Sequence, residues 1–221
     1  MFALNPGLSV TVQSLGDEAQ PLVIIDDVLT DPQALIVAAD EAGFRTPALG
    51  SRYPGLNAPL PEVYKALVAR DIMPRILPAF GVPPQSLSLF GFFGMATQGG
   101  EDMDVRQAAP HIDAFNLNSF ASVHYLFEGD LGGTAFFRHR ASGHELITPS
   151  RSYAFEKAKR AELDGFDGTG EAARERFFEQ IAAVEPRLNR LILYRAGQLH
   201  FGQVRPGDGR RLTANLFFNI R

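Results

Sequence analysis

The stretch Pro110-His111-Ile112-Asp113-Ala114-Phe115 decides how this chain is read. If it is extended, His111 and Asp113 lie two residues apart on one face and bring an imidazole and a carboxylate to one point. A third ligand must come from elsewhere in the chain. The candidate is His200, in Gln198-Leu199-His200-Phe201-Gly202 near the end of a later strand-like run. Two imidazoles and a carboxylate cover one face of a metal ion and leave the opposite positions open. A His-x-Asp pair occurs by chance in about one chain in three or four of this composition. The pair therefore gains meaning only from its surroundings.

Composition narrows those surroundings. The chain has 221 residues, 45% hydrophobic and 21% charged, which is ample material for one core. A formal net charge of −4 argues against a general nucleic-acid or anionic-membrane binder, and Arg138-His139-Arg140 and Arg210-Arg211 are too short to form a basic tract. There is no cysteine, so disulfides, thiolate zinc sites, iron–sulfur clusters and a cysteine nucleophile are excluded, and any metal must use N and O ligands. The first residues lack a basic region followed by an apolar run, and no apolar stretch is long enough to span a bilayer. A soluble cytoplasmic protein is the expectation.

Outward from the motif, the N-terminal part reads as an αβ layer over residues 1–84. Leu22-Val23-Ile24-Ile25 is a short buried strand, and Asp26-Asp27 after it are turn and cap residues rather than a metal pair. Thr30-Asp31-Pro32-Gln33 opens a helix that runs to Ala42 and stops at Gly43. Residues 45–60, with Tyr53 and Asn57, read as an irregular segment that could border a site. A second helix is expected over 61–73, and Pro74 and Pro78 interrupt the stretch after it.

Residues 85–221 read as the core. Strands are expected over 85–97, 119–127 and 132–137, the last two joined as an antiparallel hairpin, with residues 98–102 as a loop. Residues 141–186 form an insertion with helices over 154–163 and 170–184; in the second, Ala173, Phe177, Ile181 and Val184 keep helical spacing. Strands resume over 188–194, 199–204 and 211–219. The whole is expected to be one domain, mainly β with α: a jelly roll with an N-terminal helical layer and a helical insertion between core strands.

The order His111-x-Asp113, His124-Tyr125-Leu126, Gly132-Gly133-Thr134-x-Phe136, Gly197-x-x-His200-x-Gly202-x-Val204 and Arg211-Leu212-Thr213 resembles the Fe(II)/2-oxoglutarate-dependent dioxygenases, most closely the prolyl-hydroxylase-like branch. The resemblance covers residues 85–140 and 188–221 and implies a double-stranded β-helix. It implies Fe(II) on His111, Asp113 and His200, with 2-oxoglutarate chelating the metal. A buried C5 carboxylate needs a cation, and Arg211 is placed to supply a guanidinium fork. Thr213 would add a hydroxyl from the same strand face, and Tyr125 stands where family members present a tyrosine to that carboxylate. Arg210 is the rival; strand parity groups Arg211, Thr213 and Asn215 on one polar face and favours Arg211. Because Asp113 is retained where halogen-transferring members carry a small residue, hydroxylation is the implied chemistry.

Against that stand ordinary roles. His124 should be a packed strand residue, and His139 and His144 solvated loop residues; eighteen phenylalanines serve packing first. No phosphate loop or serine-hydrolase elbow is present. Two other classes remain open: a non-catalytic jelly-roll ligand-binding module, and a cupin-like metalloenzyme that does not use 2-oxoglutarate. The substrate, whether a small molecule, an amino acid or a peptide, is not encoded in any motif, although residues 45–60 and 141–186 are where specificity would reside.

Overall fold

The computed structural model describes residues 2–47, 54–83, 87–97 and 103–220. Tyr53, Gln85 and the expected loop over 98–102 lie outside them. In chain order the elements are β1 (Ser9–Leu15), β2 (Gln20–Asp26), α1 (Pro32–Glu41), β3 (Gly55–Pro59) and α2 (Glu62–Leu67). A π turn (Val68–Ile72), α3 (Met73–Ile76) and a 3-10 turn (Leu77–Phe80) complete the first half. Then come β4 (Leu87–Ala96), β5 (Ser119–Tyr125), β6 (Thr134–His139), α4 (Pro149–Asp164), α5 (Gly170–Phe177), β7 (Phe178–Val184), β8 (Arg190–Arg195), β9 (His200–Gly202) and β10 (Arg211–Ile220).

The strands form a seven-stranded sheet in the order β1-β2-β8-β5-β10-β4-β3 and a three-stranded sheet in the order β7-β6-β9, and every pairing is antiparallel. Alternation along β10 shows why two faces arise. Leu212, Ala214, Leu216 and Phe218 enter a core with Leu35 and Ala39 of α1 and Tyr64, Leu67 and Met73 of the second helical run. Helices α1, α2 and α3 thus cover the outer face of the large sheet. Ala121, Tyr125, Ile192 and Tyr194 point the other way and meet Phe136 and Val184 of the small sheet. This is a mainly β jelly roll, with α4 and α5 packed against the small sheet through Phe155, Leu163 and Ala173. No described helix is long and apolar enough to cross a membrane.

Local chemistry accounts for the helix boundaries. The Asp31 carboxylate accepts from the Ala34 amide at 3.2 Å, and Pro32 fills the first turn of α1. In the second run Pro74 has no N–H to donate to the carbonyl four residues back, and the helix widens to a π turn over Val68–Ile72.

Four expectations change. Within the segment read as irregular, Gly55–Pro59 forms edge strand β3; a Cβ on Gly55 would lie 2.0 Å from the Met95 carbonyl oxygen, so only glycine allows this pairing. The expected β5–β6 hairpin is absent, because β5 lies in the large sheet and β6 in the small one, and the chain between them crosses from sheet to sheet. Residues 170–184 are helical only to Phe177, after which β7 pairs with β6 across a register shift at Phe136/Phe137. The backbone groups of β6 need a partner, and that tertiary demand overrides the helical spacing of Ile181 and Val184. His139 is fully buried rather than solvated: it bonds Ser142 and Glu162 and packs on Phe155 and Phe178. Strand β1, which the expectations omit, is an exposed edge strand whose Val10 and Val12 face solvent.

His124 fixes the seam between sheet and helices. Asn189 donates to the Leu29 carbonyl and accepts from the Leu29 amide, which orients its carboxamide. Its oxygen can therefore only accept from His124 Nε2 at 3.2 Å, so Nδ1 is bare and accepts from the Tyr64 hydroxyl at 2.7 Å. Burial pushes the His124 pKa from 6.5 down to about 4. Between those values the unfolded chain binds a proton that the folded one refuses, so stability is complete above about pH 6.5 and falls as pH drops, by roughly 3 kcal/mol at pH 4. Urea unfolding of the metal-free protein from pH 7 to pH ~4.5 should show this slope, and His124→Gln should flatten it relative to wild type. Parallel slopes in the two proteins would refute the assignment.

Candidate metal centre

His111 is not in a strand. It joins His200, at the start of β9, in an isolated antiparallel bridge: the His111 amide donates to the His200 carbonyl at 2.9 Å and the His200 amide returns a bond at 3.0 Å. Two residues on, the Asp113 amide donates to the Ala196 carbonyl at 2.8 Å. The bridge, not strand parity, brings the side chains together. One donor atom from each of His111, Asp113 and His200 lies within 4.8 Å of the others.

The protonation pattern suits metal binding. His200 Nδ1 lies 2.9 Å from the Gln198 carbonyl oxygen, which can only accept, so Nδ1 carries a proton and Nε2, 3.5 Å from Asp113 Oδ2, is the nitrogen left to ligate. His111 Nε2 lies 4.0 Å from Asp113 Oδ1. The His111 side chain is half exposed, that of Asp113 one-fifth, and that of His200 buried. Burial raises the pKa of Asp113, and the neighbouring His200 offsets part of that. A cation held between the three would relieve the desolvated carboxylate. Two imidazole nitrogens and a carboxylate oxygen are the donors that first-row divalent metals accept.

The three residues line a cavity of about 360 Å³ whose wall includes Arg211, Thr213, Asn215 and Phe217 of β10. Arg211 is 7% exposed and donates from Nε to the Gly132 carbonyl at 2.9 Å and from Nη2 to the Gly133 carbonyl at 3.0 Å. Those carbonyls are available because both residues are glycine: Gly132 has φ +91°, and a Cβ on Gly133 would lie 1.8 Å from the Val184 carbonyl oxygen. Arg210 instead points outward to Asp40. Thr213 accepts from Asn215 Nδ2 at 3.0 Å, and its own hydroxyl lies 3.4 Å from the Gly94 carbonyl.

Tyr125 is placed differently from its expected role. It is fully buried and does not line the cavity; its hydroxyl is 2.7 Å from Thr134 Oγ1, and Thr134 is the residue that does line it. Burial pushes its pKa up to about 12, so it stays a neutral hydrogen-bonding group.

Three residues on the site escape a sequence reading. Tyr194 lines the cavity with its ring centroid 4.8 Å from that of His200, and burial holds its phenol protonated. Its only signal was alternation with Ile192 along β8. Lys159 of α4 is buried and donates to the Pro110 carbonyl at 2.6 Å, immediately before His111. Arg174 of α5 donates to the Ala108 carbonyl at 3.3 Å and lies 4.6 Å over the Phe201 ring. A lysine and an arginine on polar helices look like solvated residues in sequence. Here they tie down the segment that carries two of the three ligands, which gives helices α4 and α5 a structural purpose.

The chain belongs to a family of unknown function, DUF6445, which it matches over residues 6–218. No curated protein matches it. Among solved structures it is similar to SnoK, a non-heme alpha ketoglutarate dependent carbocyclase from nogalamycin biosynthesis: 15% identity, 93% of this chain and 84% of that one, TM-score 0.57. It is also similar to HygX from Streptomyces hygroscopicus with nickel and 2-oxoglutarate bound, at 12% identity over 90% of this chain and 82% of that one, TM-score 0.55. EvdO2 from Micromonospora carbonacea var. aurantiaca, complexed with 2-oxoglutarate, matches at 14% identity over 96% and 94%, TM-score 0.54. At these identities the likeness is one of fold, and it agrees with the jelly roll described above.

Replacing Lys159 by methionine keeps the bulk of the side chain and removes the donor to Pro110. A charged hydrogen bond contributes about 1.5–3 kcal/mol, so amide exchange at His111 and Asp113 should quicken by roughly tenfold or more while exchange in β5 and β10 stays as in wild type. Unchanged exchange at both amides would show that Lys159 does not hold the segment.

Proposed function

We propose that this chain is a 2-oxoglutarate-dependent non-haem iron oxygenase that hydroxylates an organic substrate. The observation that carries the reading is the convergence of His111, Asp113 and His200 in a jelly-roll cavity that also contains the buried guanidinium of Arg211. The jelly-roll structures compared above include an alpha ketoglutarate dependent carbocyclase and two proteins solved with 2-oxoglutarate, which supports the same class. The proposal is made at the level of that superfamily and does not depend on the prolyl-hydroxylase-like branch.

His111, Asp113 and His200 are the residues that would hold the iron. Fe(II) chelated by a keto acid supplies activation of dioxygen at its open positions. The protein's part begins with the tautomer: the Gln198 carbonyl accepts from His200 Nδ1, which leaves Nε2 as the ring nitrogen that would ligate. Arg211, aimed by the Gly132 and Gly133 carbonyls, is the residue that would hold the distal carboxylate of 2-oxoglutarate, and Thr213 would add a hydroxyl from the same strand face. Phe92, Tyr194 and Phe217 wall the cavity with rings and limit water at the reacting centre. Retention of Asp113 leaves no gap for a halide at that position, which favours oxygen transfer.

The test is oxygen-dependent formation of succinate from 2-oxoglutarate by the Fe(II)-loaded protein, followed by mass spectrometry. Wild type should form succinate. His111→Ala and His200→Ala should abolish it, and Arg211→Met should raise the KM for 2-oxoglutarate about a hundredfold or more, as expected when a buried carboxylate loses its partner. No succinate at any 2-oxoglutarate concentration would overturn the proposal in favour of a ligand-binding module. An oxidation that ignores 2-oxoglutarate and Arg211 would favour a cupin-like metalloenzyme.

A further inference from the structure

The cavity does not end at the metal ligands. A second depression, of about 280 Å³, shares Phe92, Asp113 and Phe217 with the first, so the two adjoin at the carboxylate ligand. Among the described residues that line it, Asp113 is the only charged one; the others include Phe90, Ser119 and Asn219. Phe90 and Phe217 sit directly opposite each other on β4 and β10. The Phe217 ring is 6.1 Å from that of Phe90 at 27° and 5.8 Å from that of Phe92 at 28°. The Phe90 and Phe92 rings are 5.9 Å apart and inclined at 54°, so the three rings form a triangular cluster beside the metal ligands.

The outer edge of this cluster is open: Phe90 is 62% exposed. Beyond Asp113 the next segment also leaves Phe115 and Leu117 exposed, at 38% and 45%. A single exposed phenylalanine is ordinary. A cluster of three phenyl rings beside a reaction centre that leaves Phe90 bare offers another flat ring the offset or edge-on contacts that aromatic pairs prefer. Of the cations on the first cavity, Arg106 is paired with Asp164, Lys159 bonds the Pro110 carbonyl, and Arg211 is the group assigned above to the carboxylate of 2-oxoglutarate. Among its described residues the second depression offers a substrate no cation.

We propose that Phe90, Phe92 and Phe217 form the substrate shelf of this enzyme and that its substrate is an uncharged molecule with a planar aromatic or conjugated ring. The proposal rests on the oxygenase reading for what happens to the substrate, but not for its binding. It disfavours a free amino acid, whose ammonium and carboxylate would find no partners on the shelf, and a peptide is a match only through an aromatic side chain.

The experiment uses the full-length, metal-free protein and 2-naphthol, titrated by its own fluorescence. Decahydro-2-naphthol, with the same skeleton but no flat ring, and 2-naphthalenesulfonate, flat but anionic, serve as competitors. Wild type should bind 2-naphthol and prefer it to either competitor by about tenfold or more. Phe90→Ala should weaken 2-naphthol about tenfold with an unchanged melting temperature, and Phe90→Trp should retain binding. Equal affinity for the flat and saturated alcohols, equal affinity of wild type and Phe90→Ala, or no binding by wild type would each overturn the shelf. Because iron and 2-oxoglutarate are absent, the result is separable from the oxygenase reading. Ring binding that depends on Phe90 in a protein that forms no succinate would uphold the shelf and reject the enzyme. In the loaded protein, 2-naphthol should stimulate succinate formation by wild type several-fold more than by Phe90→Ala.

Discussion

Two backbone hydrogen bonds between His111 and His200 hold together everything this site can do. They join a segment without regular structure to the short strand β9, and without them the two imidazoles would have no reason to share a cavity. The neighbouring geometry serves the same junction. Gly197 lies so close to its surroundings that a Cβ there would sit 2.7 Å from the Ile147 carbonyl oxygen and 3.2 Å from that of Ala114. A side chain at Gly197 would push away the segment that carries Asp113. The Gln198 carbonyl in the same turn then sets the proton on His200. The position of Asp113 and the tautomer of His200 are thus decided within a few residues of one turn.

The junction needs a rigid frame, and the frame is tied by buried charge as well as by apolar packing. Glu145 is fully buried, yet it accepts from the amides of Asp17 and Glu18 and from Arg138, and these bonds hold its pKa below the usual carboxylate value. The turn between β1 and β2 is thereby fastened to the connection after β6, linking the two sheets. Glu18 continues the tie to Arg151 and to the Leu146 amide. Charged hydrogen bonds of this kind contribute about 1.5–3 kcal/mol each, and loss of one partner costs more because the other stays buried. Lys159 and Arg174 do the same for the ligand segment from the opposite side.

How much of this was legible depended on whether a feature is local. The alternation of Arg211, Thr213 and Asn215 against Leu212, Ala214 and Leu216 is written in β10, and it places the first three on the cavity wall. The grouping of His111, Asp113 and His200 was legible as residue types, though the assumed strand around His111 was replaced by a single bridge. Where pairing partners lie far apart in sequence, the sequence was silent or misleading. Ile181 and Val184 keep helical spacing but serve β7, and β5 and β6 look like a hairpin but belong to different sheets. Tyr125 was given a direct part in the site because family members present a tyrosine at that position, and the resemblance does not say what stands in front of it; Thr134 stands there. Lys159 reads as solvent-facing because its partner is a carbonyl, and carbonyls leave no trace in residue type.

The central claim is that one Fe(II) sits on His111, Asp113 and His200 and that 2-oxoglutarate reaches it with its far carboxylate on Arg211. Anaerobic titration of the protein with Fe(II) and then 2-oxoglutarate, followed by visible absorption, tests this before any substrate is known. A charge-transfer band of the metal–keto acid chelate should appear in wild type with one equivalent of iron and vanish in Asp113→Ala. Absence of the band at saturating iron and keto acid, or its persistence without Asp113, would contradict the account.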